Sequence, residues 1–171
     1  MARIGSSAVG IGLCLVVIAR ALGSLGEVGA RGRVGDVALR AAPVVAVGGA
    51  PLRPGEDAVV RFRVFAEHGV DDELVAIGSD EARRVELRWD RDCDGASEPV
   101  TALPLEHGVV PSAGGAGSDY RLVLLDLREE LAVGARVTVR FGFARAGELV
   151  LDVPVVSATA EPEGCAGADV A

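Results

Sequence analysis

The chain has little of the residues that bind soft metals or carry out catalysis. Its 171 residues include one methionine (Met1), two histidines and three cysteines. The sequence has no Gly-x-Ser-x-Gly nucleophile elbow, no His-Glu-x-x-His zinc motif and no phosphate-binding loop. The glycine-rich run 114–117 has no helix start after it that would receive a phosphate. We therefore predict that the protein is not an enzyme and needs no cofactor.

Lysine is absent, and positive charge is in the minority. All 17 basic residues are arginine, against 25 Asp and Glu, and the formal net charge is −8. Removal of an N-terminal leader with Arg3 and Arg20 makes the rest of the chain two units more negative. Proteins that bind nucleic acid carry a basic surface. Nucleic acid is therefore excluded as the expected partner.

The unbroken apolar run is at the N-terminus. Ala8 to Ile18 has the length of a signal-peptide core, and a small-x-small cleavage sequence ends at Ala21. The run is too short to span a bilayer as a helix. Cys14 follows Leu13 rather than a small residue, so we do not predict lipidation. Residues 1–21 are predicted to be a secretory signal, and the protein is predicted to be exported to the periplasm, cell envelope or medium. The alternative is an uncleaved N-terminal anchor.

Composition divides the rest of the chain into three parts. Residues 22–35 are glycine-rich and are predicted to be a flexible linker. Residues 36–157 form the predicted domain, and residues 158–171 read as a disordered acidic tail. Two cysteines, Cys93 and Cys165, remain after the signal. An even count in an oxidising compartment favours a disulfide between them, and two free thiols are the alternative.

Period-two alternation of apolar and polar residues recurs along residues 57–155. Glycine and proline turn signals separate these runs at spacings typical of all-β domains. We predict an all-β fold, an immunoglobulin-like or cupredoxin-like antiparallel β-sandwich. The residues predicted to lie inside are Val60, Phe62, Val85, Leu87, Trp89, Val139, Phe141, Leu151 and Val153.

The order of these segments is similar to that of a known family. A DDEL turn, an RVEL strand, a VPSAGG loop, a YRLVLLDL strand, an LAVGARVTVRFGF hairpin and a closing LVLDVPV strand follow one another from Asp71. This order resembles the periplasmic copper-chaperone family PCuAC, and the likeness extends over Asp36 to Ser157. The resemblance implies a β-sandwich and a copper site made by a His and Met pair, a further Met and a closing His-x-Met.

The resemblance places arginine where the family has copper ligands. The first His corresponds to Arg88, and the closing His-x-Met to Arg121, Leu122 and Val123. The intermediate Met falls near Pro99 or Val100. Cu(I) prefers soft sulfur and imidazole ligands, whereas arginine is a permanent cation with donors only.

We therefore predict a degenerate metal site that binds no copper by the family's mode. The predicted function is that of an exported, non-catalytic binding or accessory module of the cell envelope, with an envelope or extracellular protein as partner. The alternative is a metallochaperone with relocated ligands for copper or another metal, in which His68 and His107 join with Cys93 or Asp72.

Two further interpretations concern charged residues. Asp90, Asp92 and Asp94 precede Gly95 in the spacing of a calcium loop, but position 12 is Thr101, so an acidic turn is the simpler interpretation.

Arg88 and Arg121 side by side would suit an anion or carboxylate. The alternative is that both pair with acidic neighbours, namely Glu86, Asp90 or Asp119.

Overall fold

The residues that the structure describes fold into β-strands joined by turns and loops. The computed structural model describes residues 29–67, 71–91, 94–106 and 119–160. Its strands are β1 (Ala30–Val34), β2 (Val37–Ala41), β3 (Val44–Val47), β4 (Ala58–Ala66), β5 (Asp72–Ser79), β6 (Ala82–Asp90), β7 (Glu98–Val100), β8 (Leu103–Leu105), β9 (Asp119–Leu127), β10 (Arg136–Phe143) and β11 (Gly147–Ala158). None of the described residues forms an apolar helix long enough to cross a bilayer.

These strands form two sheets that pack face to face, which confirms the predicted β-sandwich. The six-stranded sheet has the order β1-β2-β4-β9-β6-β7, and the five-stranded sheet has the order β3-β11-β10-β5-β8. One pair, β11 with β3, is parallel, so the sandwich is not antiparallel throughout. The chain leaves the six-stranded sheet after Ala41 and enters β3 at Val44, at the edge of the other sheet, where its direction matches that of β11.

The predicted register is correct for the core of the sandwich. Seven of the nine residues predicted to be inside are buried, including Val60, Val139 and Val153 at 0% exposure. The rings of Phe62 and Phe141 meet between the two sheets, with centroids 5.6 Å apart. A one-residue slip would have turned these side chains to solvent.

The prediction is wrong for Val85 and Trp89, which are only half-buried. Both lie on β6, next to the short edge strand β7, where the sandwich opens. Val85 lines an open cleft of about 240 Å³ between β5 and the β6–β7 edge. Trp89 lies at the end of β6, where its ring stacks on that of Tyr120. The opposite sheet covers neither side chain fully.

The predicted linker over residues 22–35 is wrong from residue 30 onward. Residues 30–34 form β1, which pairs with β2 across a turn at Gly35, whose φ is +52°. Glycine at position 32 serves close packing: a Cβ atom there would lie 2.7 Å from Cδ2 of Leu151. The glycines that suggested flexibility therefore allow a hairpin turn and a close approach. Residues 22–28 lie outside the described residues.

The structure describes the start of the predicted tail but not the predicted signal. β11 continues to Ala158, which pairs with Val47 and accepts a hydrogen bond from the N–H of Gly48 at 2.8 Å. The ordered domain thus reaches the first residue of the predicted tail. The predicted signal over residues 1–21 and residues 161–171 of the tail lie outside the described residues.

Candidate functional site

Four of the positions that the resemblance assigns to copper ligands come together on one surface. Arg88 on β6 lies directly opposite Arg121 on β9 and, on its other side, opposite Pro99 on β7. Val123 lies two residues beyond Arg121, opposite Glu86. Residues two apart on a strand share a face, so all four positions lie on the outer face of the six-stranded sheet.

Burial of the intervening residues supports this orientation. Leu87 is 4% exposed and Leu122 is 0% exposed, so both point into the sandwich. Val100 is opposite Leu87, on the inward-facing side of the sheet. Of the two candidates for the intermediate position, Pro99 is therefore the one that shares a face with Arg88 and Arg121.

Arg88 is held by three contacts on this face. Its Nε donates to Oγ of Ser97 at 3.1 Å, its Nη2 donates to the carbonyl oxygen of Ser97 at 2.7 Å, and its Nη1 donates to Oε2 of Glu86 at 3.1 Å. Its side chain is 30% exposed. Glu86 also pairs with Arg84 at 2.9 Å. Glu86 is therefore the acidic neighbour of Arg88, as the ion-pair interpretation predicted.

Arg121 has a second arginine neighbour that the sequence did not predict. Arg61 on β4 lies directly opposite it, so Arg61, Arg121 and Arg88 form one row across three strands. Arg61 and Arg121 each also interact with other groups in the folded chain. Alternation along β4 had placed Arg61 on the outer face, but only the strand order β4-β9-β6 shows that it adjoins Arg121.

An aromatic stack joins β6 and β9 on the opposite face of the sheet, one residue along from Arg88 and Arg121. The rings of Trp89 and Tyr120 are 5.5 Å apart and nearly parallel, at 6°. The guanidinium of Arg91 lies over the Trp89 ring at 4.1 Å, a cation–π contact. Burial raises the pKa of Tyr120, although the positive charge of Arg91 acts in the opposite direction.

The carboxylates of the loop after β6 stabilise its turn. Asp90 is 3% exposed, and its Oδ2 accepts a hydrogen bond from the N–H of Gly95 at 3.0 Å. Oδ1 of Asp94 accepts from the N–H of Ala96 at 2.8 Å. Asp92, between them, lies outside the described residues.

Several other predicted site residues are also outside the described part of the chain. They are His68, His107, Cys93 and Cys165. Asp72, the carboxylate considered with them, binds the turn between β10 and β11. Among the described residues, no group of three or more His, Cys, Asp or Glu side chains is arranged to hold a metal ion. The relocated-ligand and disulfide hypotheses remain predictions.

The fold and this surface together define a class: a PCuAC-type β-sandwich with a row of arginines on the outer face of its six-stranded sheet. Over residues 33–155 the chain matches the family described as "Putative lipoprotein LpqE-like", and it belongs to that family. The match covers most of the domain, from β1 to β11. No curated protein matches the chain.

Solved structures confirm the likeness to PCuAC at the level of the fold. The copper-bound PCuAC domain from PmoF2 is 19% identical with a TM-score of 0.54, over 75% of this chain and 98% of that chain. The apo PmoF2 PCuAC domain is 21% identical with a TM-score of 0.55, over 76% and 97%. The apo PCuAC domain from PmoF1 is 20% identical with a TM-score of 0.53, over 75% and 99%.

Proposed function

We propose that this protein is an exported, non-catalytic binding module of the cell envelope, built on a PCuAC fold that does not hold Cu(I) at the family's ligand positions. One observation carries the proposal. The four corresponding positions share one face, and they are occupied by Arg88, Pro99, Arg121 and Val123. None of these side chains offers a soft donor to a metal.

Electrostatics support the same conclusion. Residues directly opposite on antiparallel strands have Cα atoms about 4.5–5.5 Å apart. A cation placed between Arg88 and Arg121 would therefore be close to two permanent positive charges. Glu86 neutralises part of this charge, but it already pairs with Arg84 and Arg88. Such a site disfavours a copper ion and favours an anionic group.

Competition for Cu(I) tests the proposal directly. The mature protein is titrated into Cu(I) held by a chromophoric chelator. We expect the chelator to keep its copper in the presence of this protein. Effective competition at one equivalent, abolished by alanine at His68, His107 or Cys93, would show that a relocated copper site operates instead.

The proposed location is the extracytoplasmic side of the membrane. The N-terminal signal predicted over residues 1–21 and the family's description as a lipoprotein both support an envelope protein. We propose cleavage after Ala21, with Cys93 and Cys165 as the remaining cysteines.

Intact-mass spectrometry of the exported protein checks both parts of this prediction. We expect a chain that begins at Leu22 and is two mass units heavier after reduction. A lipid-modified chain that begins at Cys14, or a mass that retains the leader, would contradict cleavage after Ala21. Alkylation of both thiols before reduction would contradict the disulfide.

A further inference from the structure

Arginine is concentrated on one face of this acidic protein. On the outer face of the six-stranded sheet, Arg31 lies opposite Arg40, and Arg40 lies opposite Arg63. Arg61, on the same strand and face as Arg63, begins the second row. The arginine band is defined as these two rows: Arg31, Arg40, Arg63, Arg61, Arg121 and Arg88. It extends from β1 to β6, which is about 19 Å at the usual spacing of strands.

This arrangement opposes the stability of the sheet. Four pairs of arginines are directly opposite each other on neighbouring strands. Like charges in that position are destabilising. Other polar residues could occupy the solvent-facing positions of these strands without that cost. Glu86 pairs with Arg88 at one end, and Arg40, Arg61 and Arg121 also have partners in the fold. Each guanidinium has five N–H donors, so an internal partner leaves donors for a ligand.

The outer face of the other sheet shows a different pattern. On β10, Arg140 pairs with Asp80, and Oγ1 of Thr138 donates to Oδ1 of Asp152 at 3.1 Å. Arg136 donates to the carbonyl oxygen of Asp152 at 3.2 Å. Charges of both signs alternate there, as on an ordinary solvated surface. The arginine band is therefore a property of one face and not of the composition as a whole.

We propose that the arginine band docks the protein onto anionic phospholipid headgroups at a membrane surface. Guanidinium groups bind phosphate with two parallel hydrogen bonds. The six groups are spread over a sheet face and do not converge on one point, so they suit a surface of repeated phosphates better than a single small anion. This inference rests on the extracytoplasmic location proposed above, but not on the state of the metal positions.

One further observation favours a lipid surface. Half-buried apolar side chains, among them Val59, Val123 and Phe65, flank the arginines on the same face. A mixture of cationic and apolar groups is typical of surfaces that lie at the headgroup level. The excess negative charge of the chain does not prevent this contact: the sheets pack about 10 Å apart, and charges are screened over about 8 Å at physiological ionic strength.

Vesicle co-sedimentation of the mature protein tests the proposal. Vesicles of phosphatidylglycerol and phosphatidylcholine are compared with vesicles of phosphatidylcholine alone. The test variant carries Arg31→Gln, Arg40→Gln and Arg63→Gln. A matched control carries Arg136→Gln, Arg140→Gln and Arg145→Gln, which removes the same charge from other parts of the surface.

We expect the wild type and the matched control to bind the anionic vesicles, and binding to weaken as salt is added. Each basic residue at such a surface contributes roughly fivefold in affinity, so the band variant should bind about 100-fold more weakly. Should the triple variant fail to fold by circular dichroism, the exposed pair Arg31→Gln and Arg40→Gln is expected to lose about 25-fold on the same basis.

Three outcomes would overturn the inference. In the first, the wild type stays in the supernatant with anionic vesicles. In the second, the wild type binds neutral vesicles as well as it binds anionic vesicles. In the third, the band variant and its matched control lose the same affinity for anionic vesicles. Because the lipid assay contains no metal and the copper assay contains no lipid, either proposal can fail without the other.

Discussion

The variant Arg88→His, Pro99→Met, Arg121→His and Val123→Met is expected to bind one Cu(I) ion that the wild type does not. The four positions already share one face across β7, β6 and β9. Two imidazoles and two thioethers there supply the soft ligands that Cu(I) prefers. Removing the arginines also removes repulsion. A unit charge about 5 Å from the ion costs about 3 kcal/mol at an effective dielectric constant of 20, which is about 100-fold in affinity.

A charge-matched control separates ligation from repulsion. Arg88→Gln, Pro99→Leu, Arg121→Gln and Val123→Leu remove the same charges but supply neither imidazole nor thioether. Competition against a chromophoric Cu(I) chelator should show copper transfer to the His and Met variant alone. Equal transfer to both variants would mean that ligands elsewhere in the chain bind the ion. A folded His and Met variant that takes no copper would show that these positions do not form the family's site in this chain.

Asp72→Ala is expected to destabilise the protein by about 2–3 kcal/mol at neutral pH. The half-buried carboxylate of Asp72 accepts three backbone hydrogen bonds. Its Oδ1 accepts from the N–H of Glu73 at 2.8 Å and of Arg145 at 2.9 Å, and its Oδ2 accepts from the N–H of Ala146 at 2.9 Å. These bonds join the start of β5 to the turn between β10 and β11. Their loss leaves backbone donors without a protein partner.

The effect of Asp72 depends on pH in a defined direction. Burial raises the pKa of this carboxyl, but the hydrogen bonds from Glu73, Ala146 and Arg145 outweigh it, and the pKa lies below the ordinary value of an aspartate. A lowered folded-state pKa means that the unfolded chain binds the proton more readily. The stabilisation is therefore complete above the unfolded-state pKa and is lost as the pH falls through the folded-state pKa.

Urea unfolding at neutral and acidic pH measures this dependence. The difference in free energy of unfolding between the wild type and Asp72→Ala should shrink below about pH 4. Asp80→Asn is the control, because a hydrogen bond from Arg140 lowers the pKa of Asp80 in an exposed ion pair. Exposed pairs contribute little to stability, so we expect a much smaller change there. A difference for Asp72→Ala that does not vary with pH would contradict the assigned role of the carboxylate.

The sequence was informative wherever one strand alone decides the structure. Alternation along β10 and β11 correctly placed Val139, Phe141 and Val153 inside, because the side chains of a strand alternate between its faces whatever its neighbours are. The same rule failed for Trp89, whose burial depends on what the opposite sheet covers. Glycine content, which predicted a linker, was misleading at Gly32, where glycine allows close packing against Leu151.

The candidate site was likewise predictable from the sequence only in part. The order of segments was enough to predict a β-sandwich of the PCuAC type, because that order is a property of the chain itself. Only the tertiary structure placed Pro99 next to Arg88 on the same face, and only the strand order β1-β2-β4-β9-β6 joined arginines distant in the sequence into one band. Pairing between strands far apart in the chain depends on long-range packing, which local periodicity does not specify.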